Sequence, residues 1–217
     1  MNAKLEHALR RLQRILPLEA RQKACSKQIR ELHQLALRSF VSKGRMLTRE
    51  EMAQHVGDLG EAIEVLRSSE MVLFSENGDP VGAYPFTTEQ REHQVLVDGH
   101  RVHAMCALDA LAVSPMFAMQ TRISSRCRIT GDPVNIRQSG NTIENPDEAR
   151  DIHLGIAWGA AHADSRCADS LCMQMIFLRD GKIARQWHAD DFGDRETFTL
   201  PEAVEFAGRF FVPLVAS

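Results

Sequence analysis

The chain has 217 residues, 44% hydrophobic and 25% charged, with a formal net charge of −3. This is the composition of a soluble globular protein with enough chain for one large or two small domains, and it gives no global argument for nucleic-acid binding. No stretch approaches the roughly eighteen apolar residues that a membrane-spanning helix needs.

Leu5, Ala8, Leu12 and Ile15 recur at helical spacing and predict an amphipathic helix that stops near Pro17. A second helix is expected over residues 26–40, with Ile29, Leu32, Ala36 and Phe40 on one face and Gly44 at its end. Thr48-Arg49-Glu50-Glu51 reads as a capping box opening a short helix that breaks at Gly57, followed by another over residues 58–68. Met71-Val72-Leu73-Phe74 reads as a strand, Asn77-Gly78-Asp79-Pro80 as a turn, and residues 81–86 as the returning strand. Helices followed by a β-hairpin predict a winged-helix-like N-terminal domain over residues 1–88.

Beyond residue 88 the pattern changes. Gln94-Val95-Leu96-Val97 is a strand, Asp98-Gly99 a hairpin turn, and Arg101-Val102-His103 the return. An Ala/Leu-rich helix follows, closed by Ser114-Pro115. Residues 121–126, 134–137 and 152–158 read as strands, with a further short strand after Ser139-Gly140-Asn141. Residues 160–171 are small and polar, helix or loop, and lead through Cys172 into a core strand at residues 173–178. A final amphipathic helix spans residues 201–211, with Pro201 in its first turn. The fold class is α+β, the winged-helix-like domain preceding a mixed or antiparallel sheet with flanking helices over residues 89–217.

Charge is uneven along the chain. Residues 1–50 carry twelve Lys/Arg against four Asp/Glu, a balance of +8, and the remainder carries −11. Such a split fits a solvated helical face, with a nucleic-acid-binding end as the alternative. The five cysteines, at 25, 106, 127, 167 and 172, form no CxxC pair. The first residues lead into a charged amphipathic run rather than an apolar leader. The expectation is a cytoplasmic protein, without membrane attachment, whose thiols serve as ligands or nucleophiles.

The segment richest in chemistry is Met105-Cys106-Ala107-Leu108-Asp109. In a helix, residues three apart project from one face, so a thiol and a carboxyl would stand side by side. A thiolate is a soft ligand for late metals, and an adjacent acid is a proton donor. Together they suit holding a metal–carbon species and protonating its carbon. A buried, inert cysteine beside a surface aspartate is the plainer reading of the same two residues.

Residues 70–211 resemble the organomercurial (alkylmercury) lyase family. Cys106-Ala107-Leu108-Asp109 resembles the family's CALD segment, which holds its first catalytic cysteine and its catalytic aspartate. Gly82-Ala83-Tyr84-Pro85-Phe86-Thr87, Val97-Asp98-Gly99-His100-Arg101, and Ser124-Ser125-Arg126-Cys127 with Thr130-Gly131-Asp132-Pro133-Val134 resemble further family segments. Ser170-Leu171-Cys172 followed by Met175-Ile176-Phe177-Leu178 resembles the segment of the second catalytic cysteine. The resemblance implies that Cys106 and Cys172 take the mercury and Asp109 carries the proton. It implies no organic cofactor, an organomercurial substrate, Hg(II) and a hydrocarbon as products, and small thiols or a mercuric reductase to remove the ion. Cys127 matches a family cysteine with a structural role, and Cys167 is an auxiliary ligand or an alternative partner to Cys172.

Two departures stand out. Met105 occupies a position where the family commonly has an aromatic residue, and residues 158–170 match the family poorly. His100-x-x-His103-x-x-Cys106 is a weak zinc spacing. His–Asp neighbours at 151–153 and 188–190 lack the Gly-x-Ser-x-Gly elbow of a hydrolase, and neither a Walker A motif nor GxGxxG implies a nucleotide. The alternatives are a non-catalytic thiol protein binding mercury or copper(I), and a winged-helix metal-responsive regulator. Against the regulator, Asp58, Glu61 and Glu64 make the second helix of the turn acidic where phosphates would be faced, and no nucleic-acid partner is expected.

Overall fold

The computed structural model of the protein describes residues 2–162 and 164–216. It opens with five helices: α1 (Ala3–Ile15), α2 (Leu18–Ala24), α3 (Lys27–Lys43), α4 (Arg49–Ala53) and α5 (Leu59–Ser68). Their ends follow from side-chain capping. Asn2, Ser26 and Asp58 each accept hydrogen bonds from free N–H groups of the first turn they precede. Thr48 and Glu51 form the expected reciprocal box. α3 stops at Gly44, whose φ of 69° is left-handed and suits glycine. Helix α2 is a finding beyond the sequence reading. Seven residues are too few to display a period, yet Leu18 and Gln22 are buried.

Among the described residues, eleven strands and four more α-helices follow. They are β1 (Leu73–Phe74), β2 (Pro80–Ala83), β3 (Phe86–Thr87), β4 (His93–Val97), β5 (His100–Ala104), α6 (Ala107–Phe117), β6 (Gln120–Arg126) and β7 (Pro133–Ser139). Then come β8 (Thr142–Ile143), α7 (Pro146–Ala149), β9 (His153–Ala157), β10 (Met175–Leu178), α8 (Gly181–Ala189), β11 (Arg195–Thr199) and α9 (Leu200–Phe211). Eight strands form one sheet in the order β1-β2-β3-β5-β4-β6-β7-β8, and three form a second in the order β10-β9-β11. All pairings are antiparallel, so the fold is α+β. The β1–β2 hairpin joins the large sheet through β3, which pairs with β5 at Phe86 and Ala104. Buried side chains from the N-terminal helices and from both sheets make the main core, with a smaller separate cluster of Ile176, Leu178, Ala184 and Trp187. No helix among the described residues is long and apolar enough to cross a membrane.

Helix α6 lies at the centre, against α9 and the inner faces of β4, β6 and β10. It is apolar around its whole circumference, the pattern of a fully enclosed helix. Strand β6 alternates buried and exposed positions, as a strand with one covered face must. The sequence reading closed α6 at Pro115, but the helix runs through that residue to Phe117. Proline removes the N–H that would bond the carbonyl of Leu111. The buried side chain of Gln138, on β7, supplies the missing donor: its Nε2 donates to the Leu111 carbonyl at 3.0 Å.

Besides α2, three elements carried no assignment from sequence: α7, α8 and β11. The stretch of α8 and β11 is rich in charge, yet β11 pairs with β9 along its length. Trp187 of α8 lies over Gly155 of β9, where a Cβ would come within 2.8 Å of the indole.

The Pro115–Gln138 relation predicts a double-mutant result. Gln138→Ala leaves a buried carbonyl unpaired and should cost about 1–3 kcal/mol in urea denaturation. Adding Pro115→Ala restores an N–H at the break and should recover part of that loss. Simple additivity of the two substitutions would contradict the pairing.

Candidate active site

Cys106 and Asp109 meet by a different geometry from the one their spacing suggests. Cys106 is not inside a helix. It is the N-cap of α6, with extended backbone angles of −149° and 179°. Its Sγ accepts a hydrogen bond from the backbone N–H of Asp109 at 3.4 Å, the position a serine or threonine oxygen takes in an ordinary cap. The carboxyl of Asp109 therefore stands in the first turn, beside the capping sulfur. Both residues are 1% exposed.

Cys172 reaches the same place from the other side of the core. It sits in a 3-10 turn (Leu171–Gln174) that delivers the chain into β10 and is itself buried. Ligand atoms of Cys106, Asp109 and Cys172 all lie within 4.8 Å of one another. Among the described residues this is the only such group of three or more potential metal-binding side chains. His100 and His103 do not assemble with Cys106; the His103 ring is held by the backbone of Arg91 instead. Cys127 closes the β6–β7 turn through backbone bonds with Asp132 and Gly131. It stands outside the group.

Cys167, on a preceding 3-10 turn (Cys167–Asp169), places its sulfur 3.7 Å from that of Cys172. Two further residues that the sequence reading did not single out belong here. The Cys106 thiol donates to the Met175 thioether at 3.6 Å. The Tyr84 hydroxyl accepts from the Ala168 N–H at 2.8 Å and so fixes the turn that carries Cys167. Strand periodicity marked Met175 as core, and Tyr84 lay in a segment of family likeness. Neither signal shows a contact. Met105 is buried against Gly82, where a Cβ would meet its terminal methyl at 2.9 Å.

Burial dominates the electrostatics. It raises the Asp109 carboxyl from 3.8 to about 7, against hydrogen bonds to Cys106 that work the other way. One carboxyl oxygen, Oδ2, is buried without any hydrogen-bond partner. The helix N-terminus favours an anion here by at most about 2 kcal/mol. The rise to about 7 represents about 4 kcal/mol against the ionised form, so burial wins. Burial likewise pushes the Cys106 thiol up to about 12. Cys172 is raised by its hydrogen bonding with Cys106 and Cys167, and by burial. At neutral pH both thiols carry their protons, and the acid is poised between its two forms.

A cavity of about 470 Å³ adjoins the site, lined by Phe74, Arg91, Met105, Arg166, Ala168 and Asp169 among others. It touches sequence neighbours of Cys106 and Cys167 without reaching the three central groups.

Two soft sulfur atoms and a protonatable carboxyl thus lie together in an enclosed α+β core, a group able to hold a thiophilic metal. The alkylmercury lyase family model matches residues 86–212, and the chain belongs to that family. Alkylmercury lyase of Bacillus cereus is 33% identical over 152 residues, covering 70% of this chain and 68% of that protein. Alkylmercury lyase of Pseudomonas putida is 27% identical over 145 residues, covering 66% of each. The alignments thus span about two thirds of each relative's length. The crystal structure of the mercury-bound form of MerB2 superposes with a TM-score of 0.72 at 18% identity, covering 92% of this chain and 98% of that one. That likeness is one of fold.

The buried acid makes stability depend on pH in a fixed direction. The folded protein holds a proton on Asp109 that the unfolded chain has lost between about pH 4 and 7. Its contribution to stability therefore falls as pH rises through that window and levels off above it. Asp109→Asn should remove the dependence. The stability gained by the variant over wild type should grow by about 1.4 kcal/mol per pH unit across the window in urea titrations. A pH-independent difference would contradict an ionisable group buried as described.

Proposed function

We propose that this chain is an organomercurial lyase, cleaving the carbon–mercury bond of alkyl- or arylmercury compounds to give Hg(II) and the hydrocarbon. The observation that carries this reading is the enclosed group of Cys106, Asp109 and Cys172, with ligand atoms within 4.8 Å of one another. Either thiol by itself would bind mercury. The acid beside them is what protonolysis requires.

The sequence of events follows from the protonation states. Both thiols are protonated at rest. Mercury has a strong preference for sulfur, and binding to the first thiolate releases that thiol's proton with the departing ligand of the substrate. Binding of the second sulfur displaces a second proton, which Asp109 takes and passes to the carbon. The added sulfur weakens the mercury–carbon bond, and the proton prevents a free carbanion from having to leave. The enclosed surroundings keep the carboxyl protonated long enough to act as general acid. Atoms balance: two thiol protons go in, one leaves with the displaced ligand and one with the hydrocarbon. Hg(II) remains on the two sulfurs.

The chemistry calls for no organic cofactor, and an external thiol or a mercuric reductase is the acceptor of the ion. Five free cysteines fit a reducing cytoplasm. Residues 1–88 we read as a winged-helix-like unit and 89–217 as the catalytic one. In the first, the short helices α4 and α5 and the β1–β2 hairpin support the reading, while acidic α5 argues against a DNA-binding role.

The test is release of benzene from phenylmercury by purified protein with excess small thiol. Wild type should turn over, and Cys106→Ser and Cys172→Ser should not. Asp109→Ala should still bind mercury stoichiometrically and lose at least about 100-fold in rate, the least a general acid contributes. Ordinary turnover in Asp109→Ala would sink the mechanism. Tight mercury binding without benzene from the wild type would make the chain a thiol metal-binding protein instead.

A further inference from the structure

We propose that Cys167 is the exit ligand for the product ion, so that Hg(II) passes from the Cys106–Cys172 pair to a Cys172–Cys167 pair before leaving the protein. This rests on the lyase reading and deepens it.

The starting point is a problem of access. After cleavage the ion is held by sulfurs whose residues are 1% and 4% exposed. A two-thiolate mercury complex exchanges ligands when a third sulfur attacks the metal, in the manner of thiol–disulfide exchange. An external thiol must reach this metal past Met105 and Ala168, since neither Cys106 nor Cys172 lines the adjoining cavity. A third sulfur already inside the core removes the difficulty.

Cys167 is placed for that role. Its sulfur is 3.7 Å from that of Cys172 but outside the group formed by Cys106, Asp109 and Cys172. Cys172 is thus shared by an inner and an outer pair. With a metal–thiolate bond of about 2.3 Å, the 3.7 Å base closes a triangle. One ion can therefore contact both outer sulfurs at a bent angle, as in the three-sulfur exchange state, and the two sulfurs move apart as the ion settles into the linear arrangement that two-coordinate mercury prefers. The residues flanking Cys167, namely Arg166, Ala168 and Asp169, line the cavity that opens to solvent. Exposure rises from 1% at Cys106 to 4% at Cys172 and 5% at Cys167, so the outer pair is the slightly less enclosed of the two.

The position is also fixed. The Cys167 N–H donates to the Glu70 carboxylate at 3.2 Å, and the Ala168 N–H donates to the Tyr84 hydroxyl at 2.8 Å. The Ser170 hydroxyl donates to the Arg166 carbonyl at 2.8 Å. Two bonds from separate parts of the chain and one within it hold this short turn. Arg21 in turn holds Glu70 at 3.2 Å.

The transfer balances. The Cys167 sulfur bonds to mercury, the mercury bond to Cys106 breaks, and the Cys167 proton moves to the Cys106 sulfur. No electrons are gained or lost. Cys106 is returned as a thiol, the form in which it begins the next cycle, while the ion waits at the outer pair for a small thiol.

The test counts sulfur on mercury by X-ray absorption, in thiol-free buffer, with one equivalent of Hg(II). A Cys25→Ser background removes the half-exposed thiol. In that background Cys106→Ser should hold mercury through two protein sulfurs, and adding Cys167→Ser should reduce the number to one. One sulfur before Cys167 is removed, or two after, would overturn the proposal. Kinetics give a second reading. Cys167→Ser should lower the ratio of steady-state to first-turnover benzene release at least tenfold at limiting thiol, with the deficit narrowing as thiol is raised. A ratio equal to that of wild type would also overturn it. Failure of wild type to release any benzene would instead refute the lyase reading, and the sulfur count would still decide whether the outer pair binds mercury.

Discussion

A carboxyl oxygen buried without a hydrogen-bond partner is the constraint on which this site depends. Asp109 stands at a helix N-terminus, an arrangement that ordinarily favours the anion. Its enclosure reverses that preference, because the apolar helix α6 is surrounded by α9 and the large sheet. The result is an acid able to hold a proton at neutral pH and give it away. A more exposed aspartate at the same spacing from Cys106 would be ionised and without use as a donor.

The sulfurs answer to the same enclosure. Neutral thiols are tolerated in a core where thiolates are not, so Cys106 and Cys172 keep their protons at neutral pH. Met175 adds a thioether at the floor of the site. Cys106 and Asp109 come from one helix start, while Cys172 arrives through the turn that feeds the smaller sheet. The two sheets are tied near this point by the Arg128 N–H, which donates to the Phe177 carbonyl at 3.1 Å. Contacts from Glu70 and Tyr84 make the N-terminal part of the chain a buttress for the thiol-bearing turns.

Local signals were the most legible. The capping box at Thr48, the stop at Gly44 and the β4–β5 hairpin turn were all written in short stretches of residues whose preferences act over one turn. The Cys-x-x-Asp pair was legible as a pair, but its geometry was not. A cap sulfur and a first-turn carboxyl share the spacing of two residues on a helix face. Helix α6 crossing Pro115 was not legible, because the compensating donor lies on a strand more than twenty residues away in Gln138. The contacts of Met175 and Tyr84 were hidden for the same reason: each is made across the core between segments distant in sequence. Charge-rich α8 and β11 carried no assignment because burial of Trp187 and pairing with β9 override their composition.

The most direct measurement is the titration of the Asp109 carboxyl in the resting protein, followed by carbon-13 NMR of labelled aspartate with Asp109→Asn to assign the signal. The account predicts a midpoint of about 7. It also predicts that one equivalent of Hg(II) on the two thiols shifts the signal, because the metal occupies the group's immediate neighbourhood. A midpoint near the ordinary aspartate value of about 4, indifferent to mercury, would contradict it.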